Sequence, residues 1–114
     1  MNKNSLIYLK HVLDAIKQIE EYTVKVDDQD FLINRLIQDA VIRQIEIIGE
    51  AIKRVSLAIK NKYPDIPWKN IAGMRDKLIH DYFGVDIEAV WETVQKDIPV
   101  LKKDIQDLLN KEKT

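Results

Sequence analysis

Apolar residues recur at helical spacing along almost the whole chain. Leu6, Leu9, Leu13 and Ile16 follow one another at intervals of three and four residues, with Val12 and Ile19 widening the stripe. That is the pattern of an amphipathic helix. Asn4 or Ser5 offers an N-cap for it. The pattern fades near Tyr22, where Thr23-Val24 and then Val26-Asp27-Asp28 interrupt it. A second, longer helix is expected from about Asp30 to Asn61. Its stripe reads Leu32, Leu36, Ile37, Ala40, Val41, Ile45, Ile48, Ala51, Ile52 and Val55. Ile33, Ile42 and Ile47 make this helix apolar on more than one face, which suggests burial on two sides, including against a second subunit. Gly49 lies inside it. A helix-interior glycine costs about 1 kcal/mol relative to alanine, so it marks a bend or a close helix contact.

Tyr63-Pro64-Asp65-Ile66-Pro67 breaks the helical pattern, and Pro67 suits the first turn of the next helix. From Trp68 to about His80 the pattern is helical again, with Ile71, Met74 and Leu78 on one side and Gly73 as a point of division. Gly84 is placed to end that helix and Asp86 to cap the next. The final helix has the cleanest period in the chain: Ile87, Trp91, Val94, Ile98, Leu101, Ile105 and Leu108. Pro99 lies within it, removes one backbone donor and is expected to bend it. No segment shows the two-residue alternation of a half-buried strand. The pattern predicts one all-α domain over residues 1–114, a bundle of four or five helices.

Composition changes this picture only at its edges. A chain of 114 residues, 46% hydrophobic and 32% charged, suits one modest core with solvated helix faces. There is no cysteine, so neither a disulfide framework nor a thiolate metal site can form. The first residues hold no apolar signal core, and nothing approaches the ~18 continuous apolar residues of a membrane helix. A soluble, cytoplasmic protein is expected. The net charge of −1 argues against a broad nucleic-acid coat, which needs a basic footprint.

The chemistry concentrates in one stretch. There are two histidines, His11 and His80. His11 sits on the first helix with no partner evident in sequence and reads as an ordinary surface or packing residue. His80 stands in Gly73-Met74-Arg75-Asp76-Lys77-Leu78-Ile79-His80-Asp81-Tyr82-Phe83-Gly84, which combines a fixed cation, an imidazole and a phenol. Cleavage of RNA by its own 2′-hydroxyl needs a base, an acid and a cation at the phosphorus centre, and no metal. Arginine suits the cation's role because its planar fork can hold two phosphate oxygens. On a continuous helix, residues five apart point about 140° from each other. Arg75 and His80 therefore meet more readily at a helix end, or across a two-fold axis where two copies contribute. From residue chemistry alone the plainer account is the better one: Arg75 pairs with Asp76, Asp81 or a distant glutamate, His80 sits at a helix C-terminus, and Tyr82 and Phe83 are core.

A family resemblance shifts that balance. Arginine, four residues, histidine, any residue and tyrosine, here Arg75, His80 and Tyr82, resembles the signature of the HEPN proteins, and Asp76 fits the polar position after the arginine. The flanks resemble the HepT-like branch: Ile71-Ala72-Gly73-Met74 before the motif, Phe83-Gly84-Val85-Asp86 after it, then Val90-Trp91-Glu92-Thr93-Val94 and Asp97-Ile98-Pro99-Val100-Leu101. Upstream, Ile48-Gly49-Glu50-Ala51, Tyr63-Pro64 and Pro67-Trp68 also match. The resemblance spans roughly residues 5 to 108.

The resemblance implies a HEPN-like helical homodimer whose two motifs line one cleft. It implies a toxin that cleaves RNA, tRNA or mRNA, as a metal-independent endoribonuclease with no cofactor. Its antitoxin is then a minimal nucleotidyltransferase, able to adenylylate the motif tyrosine with ATP. Carried over, Arg75 and His80 are the catalytic residues, Asp76 a supporting residue, and Tyr82 both supporting and the site of AMP addition. Lys69 and Lys77 are candidate RNA contacts, being the basic residues nearest the motif. Glu50 is a candidate for orienting an arginine in the cleft, against an ordinary surface or intrahelical contact. The alternative function is a non-catalytic helical module that binds a nucleotidyltransferase or a nucleotide. A purely structural helical dimer is the third reading.

Overall fold

The computed structural model describes residues 3–79 and 84–113. The chain is an all-α bundle. Its helices are α1 (Lys3–Thr23), α2 (Asp28–Ile33), α3 (Arg35–Lys53), α4 (Leu57–Lys62), α5 (Trp68–Ala72), α6 (Met74–Leu78), α7 (Ile87–Glu92) and α8 (Ile98–Glu112). A π-helical turn, Thr93–Asp97, joins α7 to α8. Three rods carry the bundle: α1, α3, and α7 continued through the π turn into α8. α1 lies along α3, α8 packs on α1, and α5 and α6 sit against α3. No helix among the described residues is long and apolar enough to cross a membrane.

The expected second helix, Asp30 to Asn61, is divided into three. Asn34 and Ser56 are the reason. Asn34 Oδ1 accepts from the Ile37 N–H at 3.1 Å, and Ser56 Oγ accepts from the Ile59 N–H at 3.3 Å. Each polar side chain thus satisfies an orphan donor at a helix start, inside a stretch whose apolar spacing looks continuous. Ser5 also differs from expectation. It is buried, and its Oγ accepts from the Ser56 N–H at 3.0 Å, tying α1 to the start of α4 rather than capping α1.

The break at Asn34 shifts the apolar register. Phe31, not Leu32 or Leu36, is the anchor at this end of the core. It is fully buried and stacks on Trp91 at 4.6 Å between centroids. The Trp91 indole N–H donates to Asp28 Oδ1, and Gln38 Nε2 donates to the Phe31 carbonyl at 2.8 Å. These contacts fasten α2 to α3 and α7. Leu36 is 80% exposed and Ile33 83% exposed.

Pro99 does not sit inside one regular α-helix. It lies in the first turn of α8, the helical position that best tolerates proline. Just before it the backbone widens, and the Ile98 N–H donates to the Thr93 carbonyl five residues back. An α turn would drive the proline ring into the carbonyl four residues before it, and the wider turn takes that carbonyl away.

Gly49 marks a close contact rather than a bend, since α3 runs unbroken through it. A Cβ at this position would lie 3.1 Å from the carbonyl oxygen of Ala72. α5 is therefore seated against α3 at a distance only glycine admits without displacing backbone.

The C-terminal end of α8 is clasped to α4. The Glu112 carboxylate, its side chain only 7% exposed, accepts from Lys62 Nζ at 2.7 Å and from the Tyr63 hydroxyl. These two hydrogen bonds, Lys62's first, hold the Glu112 carboxyl below its ordinary 4.5. The hydrogen bond to Glu112 raises the Lys62 ammonium above 10.5 and the Tyr63 phenol above 10.0. A carboxyl depressed on folding stabilises the fold above pH 4.5 and loses that contribution as pH falls through its folded value. Raised groups contribute fully below their unfolded values and lose it as pH rises through their folded ones. The expected outcome is that Glu112→Gln lowers the melting temperature near neutrality. That deficit should shrink below pH 4.5 and again above pH 10.0. Thermal melts of both proteins from acid to alkaline pH test this; a deficit equally large at pH 3 would sink it.

Candidate active site

Gly73 ends α5 and opens α6. Its N–H donates to the Lys69 carbonyl at 3.0 Å, and its own carbonyl accepts from Asp76 at 3.1 Å. The expected division at Gly73 is therefore present, and it presents Arg75 in the first turn of a fresh helix beside α3. Arg75 Nε donates to Glu46 Oε2 at 2.9 Å, and Nη1 lies 3.5 Å from Asp76 Oδ1. The Arg75 side chain remains 45% exposed, while Glu46 is 32% exposed. The Glu46 hydrogen bond, then the charges of Glu46 and Asp76, raise the Arg75 guanidinium above its already high ordinary value. It is a permanent cation held along its Nε edge by a carboxylate from another helix.

α6 stops at Leu78, not at Gly84. Ile79 turns extended, its N–H still bonded to the Arg75 carbonyl at 3.0 Å. Ile79 then forms an isolated antiparallel bridge with Val85, and the Asp86 N–H donates to the Leu78 carbonyl at 2.9 Å. The helix that carries Arg75 thus ends two residues before the position of the motif histidine. Asp86 caps α7 as expected, accepting from the Ala89 N–H at 3.0 Å. His80, Tyr82 and the intervening Asp81 lie outside the described residues.

The other expected residues fall as follows. Asp76 is exposed and makes the ion pair with Arg75. Lys69 is exposed on α5. Lys77, two positions from Arg75, lines a separate groove of about 490 Å³ with Met74, Leu78, Thr93, Asp97 and Leu101. Lys77 therefore does not share the groove that Glu46 lines. Glu50 pairs with Lys53 on its own helix at 3.4 Å. The carboxylate that orients the arginine is Glu46, one turn earlier. Gly49 was the available signal for it. A glycine that admits a neighbouring backbone singles out the residue three positions away as the one facing that neighbour.

A second groove, of about 310 Å³, runs between α1 and α3. It is lined by Tyr8, His11, Arg43, Glu46, Glu50 and Arg54, with Ile47 and Ala51 at its floor. Tyr8 and His11 meet edge to face, with ring centroids 6.2 Å apart. Among the described residues no group of three or more histidines and carboxylates is placed to hold a metal ion.

Comparison with known proteins decides the family. The model described as Ribonuclease HepT-like matches residues 12–108. The chain belongs to the HepT-like ribonuclease family. Among HepT-like relatives, a "probable ribonuclease HepT" of Thermococcus cleftensis is 47% identical over 108 residues, covering 95% of this chain and 98% of that protein. A "putative RNase" of Caldanaerobacter subterraneus subsp. tengcongensis is 43% identical over 106 residues, covering 93% and 95%. A "gamma-glutamylcyclotransferase and putative RNase" of Methanocaldococcus jannaschii is 52% identical over 109 residues. That match takes in 96% of this chain but spans only 49% of the relative. No solved structure matches.

Proposed function

We infer that this chain is the toxin of a toxin–antitoxin pair, a cytoplasmic endoribonuclease that cuts tRNA or mRNA without a metal ion. The observation that carries the reading is Arg75. In a HepT-like ribonuclease chain, it is a half-exposed guanidinium fixed along one edge by Glu46, five residues before a histidine. Held so, it can meet a phosphate without first paying for its own ordering.

The reaction balances with side chains alone. An imidazole takes the proton of a 2′-hydroxyl, whose oxygen then bonds to the adjacent phosphorus. The bond from phosphorus to the 5′ oxygen breaks, and an imidazolium returns a proton to that leaving oxygen. The products are a 2′,3′-cyclic phosphate and a 5′-hydroxyl. His80 is assigned the proton transfers and Arg75 the charge on the phosphoryl oxygens. A homodimer supplies two copies of His80, one as base and one as acid. The antitoxin is a minimal nucleotidyltransferase, and Tyr82 is the residue it adenylylates. AMP there adds bulk and negative charge two residues from His80 and excludes the RNA phosphate.

The test is an RNA cleavage assay in chelator with unmodified protein verified by mass, beside His80→Ala confirmed as folded. Expected is cleavage by the parent and its loss in the variant, a drop of about 10²- to 10⁴-fold. Equal cleavage by both would remove His80 from the mechanism. If neither protein cuts tRNA or mRNA, the chain is a module that binds a nucleotidyltransferase instead.

A further inference from the structure

The chain has four arginines, at positions 35, 43, 54 and 75. Arg35 and Arg75 are ion-paired, with Asp39 and Glu46 respectively. Arg43 and Arg54 form no ion pair among the described residues, and both line the groove between α1 and α3. They stand eleven residues apart, Arg43 on α3 and Arg54 capping its C-terminus in helical conformation, about three turns, so they project from one face about 16 Å apart along the axis. The two carboxylates in the same groove are already engaged, Glu46 by Arg75 and Glu50 by Lys53. The uncompensated charge of this face is therefore positive, although the whole chain carries −1. Glu46 belongs to both places: it lines the groove and holds Arg75. The groove thus runs up to the catalytic cation.

Opposite the arginines, on α1, stand the half-buried Tyr8 and the exposed His11. Cations that fit phosphate oxygens beside an aromatic surface are what an unpaired RNA strand requires. Arginine forks take the backbone, and a base stacks on the ring. A duplex gains less, because its bases are already stacked.

We propose that the groove between α1 and α3 is a single-stranded RNA subsite, with Arg43 and Arg54 on backbone phosphates and His11, backed by Tyr8, under a base. It rests on the nuclease reading for what the bound strand is used for, and it delivers that strand to Arg75. It also identifies the basic surface that near-neutral composition conceals.

The experiment measures binding of a fluorescent unstructured RNA in a His80→Ala background, which prevents cleavage, across a series of salt concentrations. Arg43→Gln/Arg54→Gln is compared with Arg35→Gln, and molecular mass in solution is measured for each protein. Expected is at least a 10-fold loss of affinity at low salt for the double variant. The slope of log K against log salt should become shallower by about 1.4, two contacts at about 0.7 each. Arg35→Gln should show neither change. His11→Ala should weaken binding of the single strand without altering the slope, and leave duplex RNA unaffected. Unchanged affinity and slope in the double variant would overturn the subsite. So would a loss of affinity accompanied by a change in molecular mass, which would make this face a contact between protein chains. Failure of the nuclease reading looks different. The parent protein would cut nothing, while RNA binding would still depend on Arg43 and Arg54.

Discussion

Arg75→Ala is expected to slow RNA cleavage by about 10²- to 10³-fold while leaving the melting temperature nearly unchanged. The contrast follows from where the residue sits. Its side chain is 45% exposed, and its pairing with Glu46 is a partly solvated contact between α6 and α3. Such pairs add little to stability, about 0–1 kcal/mol. The same guanidinium opposite a developing phosphoryl charge is worth far more, because it is already oriented when that charge appears. Arg75→Lys should recover little. An ammonium has neither the planar fork nor an Nε edge for Glu46 to hold. Glu46 separates positioning from charge. Glu46→Ala should lower kcat by roughly 10- to 100-fold with KM little changed, since the cation persists but wanders. Glu46→Gln keeps an oxygen for the Nε–H and should retain most of the rate. Single-turnover cleavage rates with thermal melts of all four variants check this. Normal cleavage by Arg75→Ala, or equal losses for Glu46→Ala and Glu46→Gln, would refute the assignment.

The second large effect is on stability. Phe31→Ala should cost about 3–5 kcal/mol, a substantial part of the roughly 5–15 kcal/mol that keeps a domain folded. Phe31 is fully buried, stacks on Trp91, and joins α2 to α3 and α7. Removing its ring leaves a void that the Trp91 indole, tethered to Asp28, cannot swing to fill. Leu36→Ala is the matched control. At 80% exposed it should change stability by no more than about 0.5 kcal/mol. Chemical denaturation of the two variants reads the difference directly. Similar losses for both would mean that Leu36 is covered in solution by something absent from the single chain.

That pair of residues also shows what sequence reasoning reaches and where it stops. Periodicity located α1 and the run from Ile87 to Leu108 closely, because both are long and their apolar steps are regular. It assigned Leu32 and Leu36 to the core and passed over Phe31. It took Asp30 to Asn61 as one helix, and a break at Asn34 resets the angular phase. Asn34 and Ser56 act through single capping hydrogen bonds, which leave no trace in hydrophobic spacing. The site divides the same way. Arg75 stood out through its chemistry and its motif. Its partner lies 29 residues earlier on another helix, where Gly49, one turn away, is the one sequence feature that marks Glu46. The division at Gly73 was legible; the helix end at Leu78 was not, because the bridge of Ile79 with Val85 is a tertiary contact. Lys77 was grouped with Arg75 by proximity in sequence, yet two residues on a helix face nearly opposite ways.

Gly49 and Ala72 each lie three residues from a member of the ion pair, Gly49 from Glu46 and Ala72 from Arg75. One turn from the 2.9 Å bond, then, α3 and α5 rest backbone on backbone, with no side chain between them to act as a cushion. The spacing of the site is in that sense machined rather than adjusted. Side chains elsewhere in the core can loosen on warming or shrink by substitution, and the gap between carboxylate and guanidinium does not inherit the slack.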